Sequence, residues 1–303
     1  MSAVIRGGSG VRRTFEEQEA PWKAQLREVC RRLPEDALPH TSVTYLEKLK
    51  ASALVFEVHR LGSMLGCEQQ VIARMLPLLL HLEGLVYRAD LAYEAEQRGG
   101  GPAGTEWLRG MRTVLAAHDL DTPRVEAQLS ALREYFEEET RVVTGAVELD
   151  EAGLRELTHK RSSDLRLLTC VTCLHTGHAA ELDKVLWLLD PLVALREIAS
   201  DLRSYRADCE EGTFNTLREY VRLHGRDEAF DRLGAEWGRL TGELARRWRT
   251  APRAWMPGLW AVAFGPLPGS RGLLLRIPPQ RTVAGWIERR LPRPEDYFTD
   301  SVA

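Results

Sequence analysis

The chain has 303 residues, 44% hydrophobic and 28% charged, a composition that belongs to a folded globule and excludes disorder, collagen and a coiled-coil filament. Its 41 Lys and Arg against 44 Asp and Glu leave a formal charge of −3, without the basic field that draws a protein to nucleic acid, so no nucleic-acid partner is expected. No window offers the roughly 18 uninterrupted apolar residues of a membrane span, so no stable membrane insertion is expected.

Taken from the start, residues 1–13 lack the apolar core of a signal peptide and read as a mobile tail of a cytoplasmic protein; one domain over 14–296 and a short tail at 297–303 follow. Apolar residues recur at helical spacing through Val71, Met75, Leu78, Leu79, Leu82, Val86 and Leu91, and again through Val185, Leu188, Leu189, Leu192, Leu195 and Ile198. Both stretches predict helices apolar on more than one face. Breakers at Leu33-Pro34, 98–104, Asp121-Thr122-Pro123, Gly145, Gly153, Gly177, Gly212, Gly225 and 266–279 divide the chain into about ten helical segments. Weak strand patterns occur only at 141–149 and 272–277, so the fold class is all-α.

Charges on a helix that is apolar nearly all round are costly unless paired or bound to metal, which makes the isolated acids of the two long helices the places to look for chemistry. Asp90 and Glu94 stand at i and i+4, just ahead of the Gly-rich loop 98–104. The run RELTHKRSSDLRLL then brings Arg155, Lys160 and Arg161 in front of an apolar helix. Cys170, Cys173, His175 and His178 have the tight spacing of a zinc knuckle but lie in an apolar helical run with no second ligand pair, so buried reduced thiols and a helix-end histidine are expected there. In SDLRSYRADCEEGTFNTL, Ser200, Ser204 and Asp208 at i, i+4 and i+8 present two hydroxyls and a carboxylate on one face. Such a set suits Mg²⁺, and a solvated helix end is the plainer alternative. Trp187, Trp237, Trp255 and Trp260 either line a cation-stabilising pocket with their ring faces or belong to the core. No nucleophile elbow, P-loop or dinucleotide fingerprint is present.

The run from Ser200 to Asn215 resembles the second metal-binding motif of class I terpene synthases, with Ser200, Ser204 and Asp208 at the three ligand positions and Asp201, Gly212 and Asn215 at its other marked positions. Ser replaces the motif's first Asn, and Asp replaces its last Glu. Asp90 and Glu94 resemble the reduced Asp-x-x-x-Glu form of the family's first acidic motif, with Leu91 where a second Asp is common. The intervening run resembles the segment that detects diphosphate, which assigns Arg161 as sensor, Asp164 as linker and Leu165 as an effector acting through its backbone carbonyl; Arg155 and Lys160 compete for the sensor role. The Arg-Tyr pair that many bacterial members carry near the C-terminus is absent, with Arg271, Arg276 and Arg281 as candidates to replace it.

The resemblance implies a single-domain helical bundle around a central apolar cavity. With substrate bound, three Mg²⁺ ions would be held by Asp90, Glu94, Ser200, Ser204 and Asp208, while Arg161, Asp201 and Asn215 would contact the diphosphate. The reaction implied is ionisation of an allylic prenyl diphosphate, followed by cyclisation or deprotonation of the carbocation. An aromatic content of 7% inclines the substrate toward a C20 diphosphate, already bicyclic. A homodimer is compatible with this reading. The alternatives are a head-to-head prenyltransferase of the squalene or phytoene synthase type and a non-catalytic helical regulatory or scaffold protein.

Overall fold

The structure, a computed structural model, describes residues 15–264. The tails at 1–13 and 297–303, the weak strand pattern at 272–277 and Arg271, Arg276 and Arg281 lie outside the described residues. Among the described residues the fold is all-α, with eleven α-helices and no strand. They are α1 (Phe15–Arg32), α2 (Leu38–Thr41), α3 (Tyr45–Met64), α4 (Gln69–Gln97), α5 (Glu106–Ala117), α6 (Pro123–Val143), α7 (Glu151–Arg161), α8 (Ser163–His175), α9 (Leu182–Glu211), α10 (Thr216–Trp248) and α11 (Met256–Phe264).

Helix starts follow local chemistry. Thr44 and Glu47 form a reciprocal capping box on α3, Thr122 caps α6 ahead of Pro123, and the Asp150 side chain accepts the Gly153 N–H at 2.8 Å to open α7. Gly153 is therefore the third residue of a helix rather than a break. The strand pattern at 141–149 is likewise corrected: Val142 and Val143 end α6, Thr144 caps it, and Gly145 turns the chain at φ 74°. The β-branched run reflects a helix end, where neighbouring packing overrides strand propensity.

Packing places α3 along α4 and α10 along α9, with α8 in the middle against α3, α4, α6, α7 and α9. From Leu165 to Cys173 every residue of α8 is buried, which explains its apolar run. Cys170 and Cys173 belong to this core, and burial pushes their thiols up to about 11 and about 12, so they are held as uncharged thiols. Pro191 inside α9 has no N–H to give the carbonyl of Trp187 one turn back. Two groups of α10 reach this place: Arg247 Nη1 donates to the Trp187 carbonyl at 2.6 Å and Trp248 Nε1 to the Leu188 carbonyl at 3.0 Å.

Helices α2 and α5 meet at a glycine. A Cβ built on Gly110 would stand 2.2 Å from the carbonyl oxygen of His40, a backbone atom that cannot swing aside. We expect Gly110→Ala to destabilise the fold by about 1–3 kcal/mol despite alanine's better helix propensity, measured as a shift of the thermal or denaturant midpoint.

Candidate active site

Six helices, α3, α4, α6, α7, α8 and α9, line a cavity of about 490 Å³, within the size range of small-molecule sites. Asp90 and Glu94 face it from α4, Arg161 from the end of α7, Asp164 and Leu165 from the first turn of α8, and Ser200, Ser204 and Asp208 from α9. The acids of α4 and the hydroxyls and carboxylate of α9, more than a hundred residues apart in sequence, thus share one space with Arg161, which lies between them in sequence. Of the three sensor candidates only Arg161 lines it. Arg155 is held by Glu151 at 2.8 Å and Glu236 at 3.2 Å beside a separate, smaller cavity, and Lys160 is ringed by Glu134, Glu138 and Glu156.

The loop that ends α9 organises one wall. Gly212 at φ 73° lets the chain leave the helix left-handed, a conformation that a Cβ would strain, and the chain turns back into Asn215. The Asn215 side chain then joins three places. Its Oδ1 accepts the N–H groups of Leu217 and Arg218 to cap α10, and its Nδ2 lies 2.7 Å from both the Asp201 carbonyl and Asp208 Oδ2. Ser204 Oγ also donates to Asp208 Oδ2 at 2.6 Å. Asp208 is thereby fixed through one oxygen by two donors.

Asp201 lies behind this wall. Oδ1 accepts from Arg161 Nη1 at 2.7 Å, while Oδ2 accepts from the Thr216 N–H at 2.8 Å and its hydroxyl at 2.6 Å. Asp201 and Asn215 are both buried and neither lines the cavity, which corrects their expected contact with substrate: they position Arg161 and Asp208. The effector expectation is corrected as well. The break between α7 and α8 falls at Ser162, so Leu165 is already helical, and its carbonyl accepts the Thr169 hydroxyl at 2.7 Å instead of facing the cavity free.

The cavity itself is not the apolar one expected. Beyond the sequence-assigned residues it is lined by Glu83 and Tyr87 of α4, Tyr135 and Glu139 of α6, and Arg196, Glu197 and Arg203 of α9. Helical periodicity explains the α4 wall, since Glu83, Tyr87, Asp90 and Glu94 fall three or four residues apart on one face. The signal was present in the sequence as a lone acid within the apolar run LLLHLEGLVY. The aromatic side chains on the cavity are Tyr87, Tyr135, Phe136 and Phe214; none of the four tryptophans singled out lines it, and Trp187 instead stacks under Lys184 and Arg247.

Burial controls the charge of these acids. Desolvation, with the Glu94 carboxylate adding repulsion, pushes Asp90 up to about 6. Desolvation raises Glu139 to about 7 although Tyr135 donates to it, and desolvation with the Glu197 charge raises Asp164 to about 7. Arg161, paired with Asp201 and with Glu197 at 3.1 Å, is one of three arginines on the cavity with Arg196 and Arg203, its guanidinium 5.9 Å from the Phe214 ring centre.

A raised acid binds its proton more tightly folded than unfolded, so native stability falls as pH rises from about 4 to about 7 on account of Asp164, and the loss is complete above that. Asp164→Asn keeps an acceptor for the Leu165 N–H, 2.5 Å from Asp164 Oδ1, but carries no charge. Measured against the native chain, the variant should gain on the order of 2 kcal/mol between pH 5 and pH 8, read from paired thermal melts. A constant difference across that range would show Asp164 ionising normally.

Among the described residues no three His, Cys, Asp or Glu side chains form a ready metal cluster. The donors on the two walls are nonetheless hard oxygens, carboxylates and hydroxyls of the kind that take Mg²⁺ together with ligand phosphate oxygens and water. Comparison with known proteins finds no match: no family model, no curated protein and no solved structure matches the chain.

Proposed function

We propose that the chain is a Mg²⁺-dependent lyase of the class I terpene synthase type that ionises an allylic prenyl diphosphate and cyclises or deprotonates the resulting cation. The observation that carries this reading is the convergence of Asp90, Glu94, Arg161, Ser200, Ser204 and Asp208 on one cavity, from segments whose motifs resemble that family in the same order along the chain. Asp90 and Glu94 on one wall and Ser200, Ser204 and Asp208 on the other would hold Mg²⁺, which when bound supplies positive charge to the departing diphosphate. Arg161 adds a fixed guanidinium whose planar fork matches phosphate oxygens, and Asp201 orients it.

The carboxyls deeper in the cavity suit a hydrocarbon while neutral. Their raised proton affinity keeps Asp164 and Glu139 largely uncharged below pH 7, and any that ionises offers negative charge to a cation. The favoured substrate is a C20 diphosphate, since only a few aromatic rings are available to solvate a cation.

The additional acids Glu83 and Glu197 favour a second reading, a head-to-head prenyltransferase, because each wall carries more carboxylates than the sequence motifs alone. One experiment addresses both. The purified chain is incubated with Mg²⁺ and C15 or C20 allylic diphosphates, released diphosphate is measured, and the products are weighed by mass spectrometry. Cyclic or olefinic products with the carbon number of the substrate support the lyase, products of doubled carbon number support the transferase, and no Mg²⁺-dependent release from either substrate removes both.

A further inference from the structure

Glu83 is an acid of the cavity to which the lyase reading gives no role. It is 2% exposed, it lines the cavity from α4 two turns before Asp90, and its Oε2 is enclosed with no hydrogen-bond partner among the described residues. The other deep carboxyls have partners: Glu139 accepts from Tyr135 and Gln97, Asp164 from the Leu165 N–H, and Glu197 pairs with Arg161. Desolvation, reinforced by the neighbouring carboxyls of Asp164, Asp90 and Glu197, pushes Glu83 well above the usual carboxylate range. An unpaired buried carboxylate is too costly to hold as an anion, and the neutral acid is the form that the site stabilises. The result is a carboxylic acid on the wall of a space sized for a small molecule, with one oxygen, Oε2, that no hydrogen bond ties to a structural role.

We propose that Glu83 is a catalytic general acid–base, which protonates a C=C double bond of a neutral, partly cyclised olefin held in the cavity and then takes a proton back. In the first half the Glu83 O–H bond breaks as a C–H bond forms, giving a carboxylate and a tertiary carbocation. In the second half a C–H bond next to the cationic carbon breaks, its electron pair closes a new C=C bond and the proton returns to Glu83. Nothing is oxidised or reduced, no co-reactant is consumed, and the net change is a further cyclised or isomerised olefin. The assignment rests on the lyase reading and adds to it a second cation, generated by protonation after the first has been quenched.

The test is turnover in D₂O, where Glu83 exchanges with solvent between cycles. The native chain should place one deuterium on carbon in its final product, a result that needs no variant. Glu83→Gln should lower formation of labelled product by about 10²-fold and accumulate the unlabelled neutral olefin, with the helical circular dichroism retained. Glu83→Asp, which keeps the acid but withdraws it by one methylene, should retain part of the label. Diphosphate release measured in the same samples separates the two ideas. If the native chain releases none, the lyase reading falls and this assignment with it. If it releases diphosphate but its product carries no deuterium, or if the folded Glu83→Gln chain labels as well as the native one, the assignment alone is overturned.

Discussion

Asp90→Asn and Asp208→Asn should each lower Mg²⁺-dependent diphosphate release by on the order of 10²- to 10³-fold, with the helical circular dichroism unchanged. The two positions lie on opposite walls of one cavity, so neither can replace the other. Asparagine keeps the shape and an acceptor oxygen, so at position 208 the bonds from Ser204 and Asn215 have somewhere to go, and what is removed is the negative charge a hard dication requires. Ser200→Ala and Ser204→Ala should be milder, about 10-fold, because a neutral hydroxyl contributes less than a carboxylate. Raising Mg²⁺ should restore part of the activity of the serine variants and little of that of the aspartate variants. Unchanged release in both aspartate variants would remove the two-walled site.

Arg161→Lys should lose activity by about 10²-fold although the charge is kept, while Arg155→Lys stays within about 2-fold of the native chain. The contrast follows from geometry. Arg161 uses Nη1 for Asp201 and Nε for Glu197, which orients the guanidinium plane at the cavity wall beside Phe214. A lysine ammonium is a point donor and cannot satisfy both carboxylates while offering two parallel N–H groups to phosphate. Arg155 works elsewhere, joining Glu151 to Glu236 beside the smaller cavity. The loss at Arg161 should fall on kcat more than on KM if the guanidinium acts as the C–O bond breaks. Sensitivity at Arg155 with indifference at Arg161 would move the sensor, and indifference at both would leave the reaction to metal alone or exclude it.

What the sequence disclosed follows from how strongly each feature is tied to periodicity. The i, i+4, i+8 set of Ser200, Ser204 and Asp208 and the i, i+4 pair of Asp90 and Glu94 announce themselves because a helix turns every 3.6 residues, so spacing alone puts them on one face. The all-α class was equally plain, since two long helices apolar on several faces leave little place for strands. Glu83, Glu139 and Glu197 were harder to read because an acid among apolar residues looks the same whether it faces a cavity or a partner, and only tertiary packing decides. The structural duties of Asp201 and Asn215 were hidden for a related reason: a buried hydrogen-bonded Asp and a ligand Asp have the same letter, and the Thr216 and Arg161 groups that occupy Asp201 lie 15 and 40 residues away. The role expected of Leu165 failed because a residue's letter does not say whether its carbonyl is free: the α7–α8 break falls at Ser162, three residues earlier, and the Leu165 carbonyl accepts the Thr169 hydroxyl.

The proline in α9 sets the mechanical character of the site. Between Trp187 and Pro191 the helix has given up its own internal tie, and the missing bond is supplied from the far end of α10 by Arg247, with Trp248 fastening the adjacent carbonyl. The near end of the same α10 is fastened to α9 again, through Asn215 and Thr216, at the turns that bear Asp201 and Asp208. Helix α9 is thus a beam with a joint in its first third, strapped before and after the joint by one neighbour, and the strap itself breaks helical geometry at Gly225, where φ is 75°. The turns of α9 that carry Ser200, Ser204 and Asp208 are therefore held by α10 from both sides of the proline, so the wall they form depends on contacts made at both ends of a second helix.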